Sequence, residues 1–231
     1  MAALSLGQEF NLPGVTPSRQ KRSRETTLAL LQAGAELLRT HSLAELSIET
    51  LCGEVGVTVG AFYSRFESKE AYFNALTALA VRDGERRLLQ TREPSTEATL
   101  AERCRLLVGG VTGWIGKHEG VLRAALQHGD TRPDKWTPFK GLARAATAGA
   151  TPLLLPAMGK GRASEKTRSI AFGFQVVLGT LVNAILNDPG PLSLNDPEMA
   201  ERLGKCLILL LQAETSAPKQ RPARSAKRSR Q

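Results

Sequence analysis

The side chains able to hold a metal ion or act as a nucleophile are few and scattered. Three histidines (His41, His118, His128) and three cysteines (Cys52, Cys104, Cys206) share no paired ligand spacing, so neither a zinc site nor a disulfide framework is expected. No phosphate loop, nucleophile elbow or dinucleotide fingerprint occurs. Catalytic residues, metal and cofactor are therefore each read as none, and an enzyme is not expected. What the chain does offer is chemistry toward a polyanion. Residues 1–24 carry Arg19, Lys21, Arg22 and Arg24 against Glu9, and residues 214–231 carry Lys219, Arg221, Arg224, Lys227, Arg228 and Arg230 against Glu214. All but +1 of the net charge of +9 lies in these two ends, where it serves attraction rather than folding. Ser47, Thr58 and Ser68 each precede a helical pattern. A hydroxyl there caps the helix, and the adjoining backbone N–H groups and dipole favour a phosphate.

The elements that must position these groups read as helices almost throughout. At 231 residues, 42% apolar and 23% charged, the chain is long enough for a substantial core and has the composition of an ordinary globular protein. Leu28, Leu31, Ala35 and Leu38 share one helix face, and Ile48, Leu51, Cys52 and Val55 share a second. Short helices are expected at 58–66 and 121–127, longer ones at 68–90, about 96–118 and 139–148, a long one at 164–187 and a last one at 196–213. Pro94, the segment 130–138, a loop at 152–161 and Asp188-Pro189-Gly190-Pro191 separate them. The fold class is all-α, with a flexible arm at 1–20, a first domain at 21–83, a second at 84–213 and a basic disordered tail at 214–231.

No basic-then-apolar order marks the N-terminus as a secretory signal. The most apolar stretch, residues 170–186, includes Gln175, Thr180 and Asn183 and falls short of the roughly 20 residues a membrane span needs. A cytoplasmic protein with no membrane partner is expected. The 164–187 helix is apolar on most sides and so needs partners on most sides. Phe174, Leu178, Leu181 and Ile185, with Leu203, Leu207 and Leu210 of the last helix, are read as the face toward a second copy of the chain. Gly109, Gly110, Gly113 and Gly116 either allow close helix packing or leave room for a ligand. The candidate pocket is lined by Leu107, Val111, Trp114, Leu122, Trp136, Phe139, Phe172 and Gln175.

The most informative stretch is residues 47–69, SIETLCGEVGVTVGAFYSRFESK. Two short helices joined by a tight turn at Gly56 make a helix-turn-helix, whose second helix can enter a DNA major groove while the first crosses the backbone. Ile48, Leu51, Cys52, Gly56, Val57, Thr58, Gly60, Phe62, Tyr63, Arg65, Phe66, Ser68, Lys69 and Glu70 stand at the places of a known pattern. Over residues 24–76 the chain resembles the DNA-binding domain of TetR-family transcriptional repressors. The resemblance implies a homodimer on an inverted-repeat operator of double-stranded DNA, with a second all-helical domain for dimerisation and for a small lipophilic effector of unknown identity. Tyr63 and Lys69 are implied as phosphate contacts, with Arg65 where His is more common, and Val59, Gly60 and Ala61 fall where bases are read.

With Phe62 and Phe66 inward, the helical step turns Gly60 and Ser64 outward, alongside Thr58. None of Val59, Gly60 and Ala61 is polar, so readout leans on thymine methyls, close backbone approach and DNA shape. Residues 25–83 hold four basic groups against eight acidic ones, so Arg19, Lys21, Arg22 and Arg24 are expected to supply much of the salt-dependent affinity. Cys52 is expected to be an inert core filler. Ser42, where the family has glycine at the end of its first helix, is expected to carry backbone strain, and Gly53 to weaken the second helix by about 1 kcal/mol. A sequence-tolerant nucleic-acid binder driven by the basic ends is the alternative.

Overall fold

Each of the hydroxyl residues that precede helical patterns is a helix cap. In the computed structural model, which describes residues 12–18, 20–91, 94–128 and 133–216, the Thr50, Ala61 and Ala71 N–H groups donate to the Ser47, Thr58 and Ser68 hydroxyls at 3.2, 3.1 and 3.0 Å. They start α2 (Ile48–Val55), α3 (Val59–Tyr63) and α4 (Lys69–Gln90). Gly56 closes α2 in the left-handed region at φ 70°, and the Val57 N–H reaches back to the Cys52 carbonyl at 2.9 Å. The preceding α1 is Lys21–Leu37. The chain continues with α5 (Leu100–Lys117), α6 (Glu119–His128), α7 (Thr137–Leu154), α8 (Ala163–Asn187) and α9 (Pro197–Ser216), with 3-10 turns at Pro133–Trp136 and Leu155–Ala157. No strand occurs among the described residues.

The first core gathers Leu30 and Leu31 of α1, Leu51 and Cys52 of α2, Phe62 and Phe66, and Tyr72 and Phe73 of α4, all buried. Phe66 meets Tyr72 edge-on at 4.9 Å and Phe62 at 5.0 Å, offsets that suit aromatic quadrupoles. Burial raises the Cys52 thiol pKa, as an inert filler requires. The second core lies between α5, α7, α8 and α9, with α9 packed on both α5 and α8. Gly173 lets α8 and α9 close up, since a Cβ there would lie 2.4 Å from Leu207 Cδ1. α4 runs unbroken through residues 83 and 84, so one helix serves both regions.

Four expectations are corrected. Residues 12–18 are a docked strap, not part of a flexible arm: Leu12 is 5% exposed, Thr16 N–H donates to the Arg65 carbonyl at 2.8 Å, and Gly14, at φ +82°, sits against the Ala71 backbone. Residues 1–11 and Arg19 lie outside the described residues. Ser42 is unstrained; Asp188 is the one non-glycine residue with positive φ among those described, because α1 ends earlier, at Leu37. α7 continues through Pro152 to Leu154, the proline standing in the helix's last turn, where few residues remain for its missing N–H and ring to disrupt. The buried Arg103 guanidinium takes the Leu153, Ala98 and Ser95 carbonyls at 2.8, 2.9 and 2.8 Å. Finally, α8 extends to 25 residues, the one described helix long and apolar enough to cross a bilayer; its Ile170, Phe174, Val177 and Leu181 lie in the protein core.

Gly53 is exposed within α2 and a Cβ there would meet nothing within 4 Å. Gly53→Ala is therefore expected to stabilise the chain by about 1 kcal/mol, read as a higher thermal midpoint. An unchanged or lower midpoint would contradict this reading of α2.

Candidate nucleic-acid interface and adjoining cavity

α3 is two-faced. Phe62 and Phe66 have no exposure, whereas Tyr63 is 52% exposed, and Thr58, Gly60 and Ser64 face solvent with Val59 and Ala61 half-buried at the flanks. The outward turn of Gly60 and Ser64 follows the helical step. The Thr58 hydroxyl accepts the Ala61 N–H and keeps its proton to donate. Ser47 differs, because its hydroxyl also donates to the Glu49 carboxylate at 2.7 Å, a bond that lowers that carboxyl's pKa. Ser47 therefore acts as a cap beside an anion, a poor seat for a phosphate.

Two of the cations named from sequence are also structural. Arg65 Nη1 donates to the Ser64 hydroxyl at 3.0 Å and to the Ala61 carbonyl, and its Nε to the Ser23 carbonyl of α1 at 3.4 Å. Lys69 Nζ donates to the Ala44 carbonyl at 3.1 Å, tying the start of α4 to the loop before α2. Both set the pose of the helix-turn-helix from its rim. Lys21, Arg22 and Arg24 lie in the first turn of α1, with Lys21 and Arg22 exposed. That turn has no acidic residue and no side-chain cap, so its cations stand against the helix dipole, Lys21 being paired with Glu25 at 3.9 Å.

Behind this domain lies a cavity of about 510 Å³, within the range of small-molecule sites. Leu107, Val111, Trp114, Leu122, Trp136 and Phe139 line it, as the sequence suggests. Gln175 instead lines a more open groove between α7 and α8, and Phe172 is 51% exposed on the outer side of α8. Neither belongs to the cavity. Gly110 lines it too, and a Cβ at Gly109, Gly110 or Gly113 would meet nothing within 4 Å, which removes close helix packing as the reason for those three glycines. Sequence reasoning missed Gly84, Arg87 and Leu88 of α4 in the wall; no local signal marks them, since the register of α4 against α5 and α7 places them.

The expected subunit face is also corrected. Phe174, Leu181, Ile185, Leu203 and Leu207 are buried within the chain's own core, Leu178 and Leu210 are half-buried, and Phe174, Leu178 and Ile185 line the cavity. The apolar residues left outward are Phe172, Val176 and Leu186 of α8 and Leu209 of α9. A helix apolar all round carries no phase in its sequence.

Contacts at both ends join the first domain to the second. Gly120 of α6 lies against the Leu38 and Arg39 backbone, and Arg123 Nη1 donates to the Arg39 carbonyl at 3.0 Å. Farther along α4, Asp83 gathers His118 Nε2 at 2.9 Å, Lys117 at 3.0 Å and Arg87 at 3.3 Å. Burial lowers the His118 imidazole pKa despite the opposing pull of Asp83.

Residues 30–76 match the family model described as bacterial regulatory proteins, tetR family. No curated protein matches the chain in sequence. Among solved structures, a tetR-family transcriptional regulator from Streptomyces coelicolor is similar with a TM-score of 0.63 at 16% identity, covering 82% of each chain. GusR of Salmonella enterica is similar at 0.58 and 17%, covering 84% of this chain and all of that one (100%). The TetR-family regulator PfmR of Thermus thermophilus is similar at 0.53 and 18%, covering 79% of this chain and 97% of that one. At such identities the likeness is one of fold.

Proposed function

We propose that this chain, whose residues 30–76 match the TetR-family model and whose fold is that of TetR-family regulators, is a cytoplasmic repressor that binds an inverted-repeat operator as a homodimer and is released by a small lipophilic effector. The observation that carries the reading is α4: its Tyr72 ring packs on Phe62 of α3 at 5.3 Å, and its later residues Gly84, Arg87 and Leu88 line the cavity. Whatever fills the cavity therefore presses on the helix that supports the DNA-reading unit. A ligand that fits better when α4 is displaced lowers DNA affinity by its differential affinity for the two poses. The apolar lining favours a lipophilic ligand. Two recognition helices must be held about one turn of DNA, or a multiple, apart. The outward Phe172 and Val176, one turn apart on α8, support the second copy's seat.

Within this reading Thr58, Tyr63, Lys69, Arg65, Lys21, Arg22 and Arg24 contact phosphates, and Val59, Gly60, Ala61 and Ser64 face bases. Phosphate contacts position without specifying. Tyr63→Phe removes one exposed hydroxyl and leaves the ring on Phe62. It is expected to weaken binding about tenfold, the equivalent of one good hydrogen bond, and equally on any duplex. A loss confined to one sequence would contradict the phosphate role.

The decisive test is fluorescence anisotropy of the full chain on DNA from upstream of its own gene beside a scrambled duplex at physiological salt. Preference by three or more orders of magnitude is expected of a specific binder. Equal affinity on every upstream duplex tried would overturn the repressor reading in favour of sequence-tolerant binding through the basic ends, whose C-terminal part, residues 217–231, lies outside the described residues.

A further inference from the structure

Lys135 sits in the 3-10 turn between α6 and α7 and is only 7% exposed. A buried ammonium is tolerated only where it is paired and hydrogen-bonded. Its Nζ donates to Glu70 Oε1 at 2.9 Å and to Asn74 Oδ1 at 2.7 Å. Those two acceptors are one turn apart on a single face of α4, directly after Ser68, which caps that helix, and Lys69, which holds the Ala44 carbonyl. The next residue in the chain, Trp136, is part of the cavity wall, its ring 5.2 Å from that of Phe139. One peptide bond thus separates the cavity's aromatic wall from the cation that grips the start of α4.

We propose that Lys135 is a positioning residue for the DNA-reading unit, tying the first turn of α4 to Trp136 so that a ligand displacing Trp136 shifts the turn that carries Lys69. This rests on the reading of the cavity as the effector site. The direction of coupling follows from desolvation: if the turn moves and α4 does not, the buried ammonium loses its bonds to Glu70 and Asn74, so moving the two together is the lower-energy course. Glu70 is half-exposed, with 46% of its side chain accessible, so the pair is a tether at the domain edge and not a core element.

The test uses the full-length protein and Nile red, a neutral lipophile of a size that suits the cavity. Nile red affinity is read by fluorescence, and amide hydrogen exchange is followed in residues 68–74. In the wild type, saturating Nile red is expected to change exchange across 68–74 at least threefold. In Lys135→Met, dye affinity stays within threefold of wild type while the change across 68–74 disappears. Glu70→Gln, which alters only the half-exposed partner, provides the second variant should Lys135→Met fail to fold, and is expected to reduce the dye-induced change by half or more. Nile red binding that leaves 68–74 unchanged in wild type, or changes it equally in the variants, overturns the role of Lys135. Absence of any Nile red binding to the wild type instead overturns the cavity reading itself, and with it this proposal.

Discussion

Gly34→Ala will destabilise the N-terminal domain by about 3 kcal/mol or more. A Cβ at this position would lie 1.6 Å from Tyr72 Oη and 2.7 Å from its Cζ. Tyr72 has no exposure, is held between Phe62 and Phe66, and donates its hydroxyl to the Leu30 carbonyl at 2.7 Å. To admit one methyl group the ring must leave this seat, so the mutation combines overpacking with a buried hydroxyl deprived of its acceptor. Thermal denaturation of the variant measures the effect. Adding Tyr72→Phe removes the nearest atom but leaves the ring carbon too close, so the double variant recovers only part of the loss. A Gly34→Ala protein that melts with the wild type would refute the α1–α4 contact.

The second large effect is expected at Gly120. There a Cβ would meet the Leu38 carbonyl carbon and oxygen at 2.4 Å and the Arg39 nitrogen at 2.7 Å. These are backbone atoms, and no side-chain rotation relieves them. Gly120→Ala must separate the start of α6 from the end of α1, breaking the Arg123 bond to the Arg39 carbonyl and the 3.5 Å bond from Arg39 to the Gly116 carbonyl. A cost of about 2–3 kcal/mol follows from overpacking and lost charged hydrogen bonds. Neither domain's own core is touched, so helical circular dichroism at room temperature should persist while the thermal midpoint falls. Amide exchange should rise at residues 38–41 and 116–123 first. An unchanged midpoint with unchanged exchange there would show that the two domains do not meet at Gly120.

The two glycines mark where sequence reading stops. Neither is distinguishable in the chain from Gly53, which faces solvent and meets nothing, although all three lie in helices. What separates them is the distance to another helix. The same holds for α8: its helical period is plain, but which of its apolar sides faces inward depends on α7 and α9, so Phe174, Leu181 and Ile185 went to the core and Phe172 and Val176 to the surface. The six cavity residues foreseen from sequence were large apolar groups on helices that any bundle would turn inward. Arg87, Gly84 and the Lys135 tether had no such signature.

By itself the sequence determined the all-helical class, the caps at Ser47, Thr58 and Ser68, the left-handed turn at Gly56, and the split of α3 into a buried Phe62 face and an exposed face with Gly60 and Ser64. These depend on hydrogen bonds and dihedral preferences among residues at most a few places apart, so their energetics are written locally. Only the tertiary structure decided that residues 12–18 dock, that Arg65 and Lys69 hold backbone carbonyls of other segments, that α4 reaches from the helix-turn-helix to the cavity, and that Lys135 meets Glu70. Those contacts join residues tens of positions apart. Which distant groups meet is set by how whole helices pack, and no short-range preference encodes it.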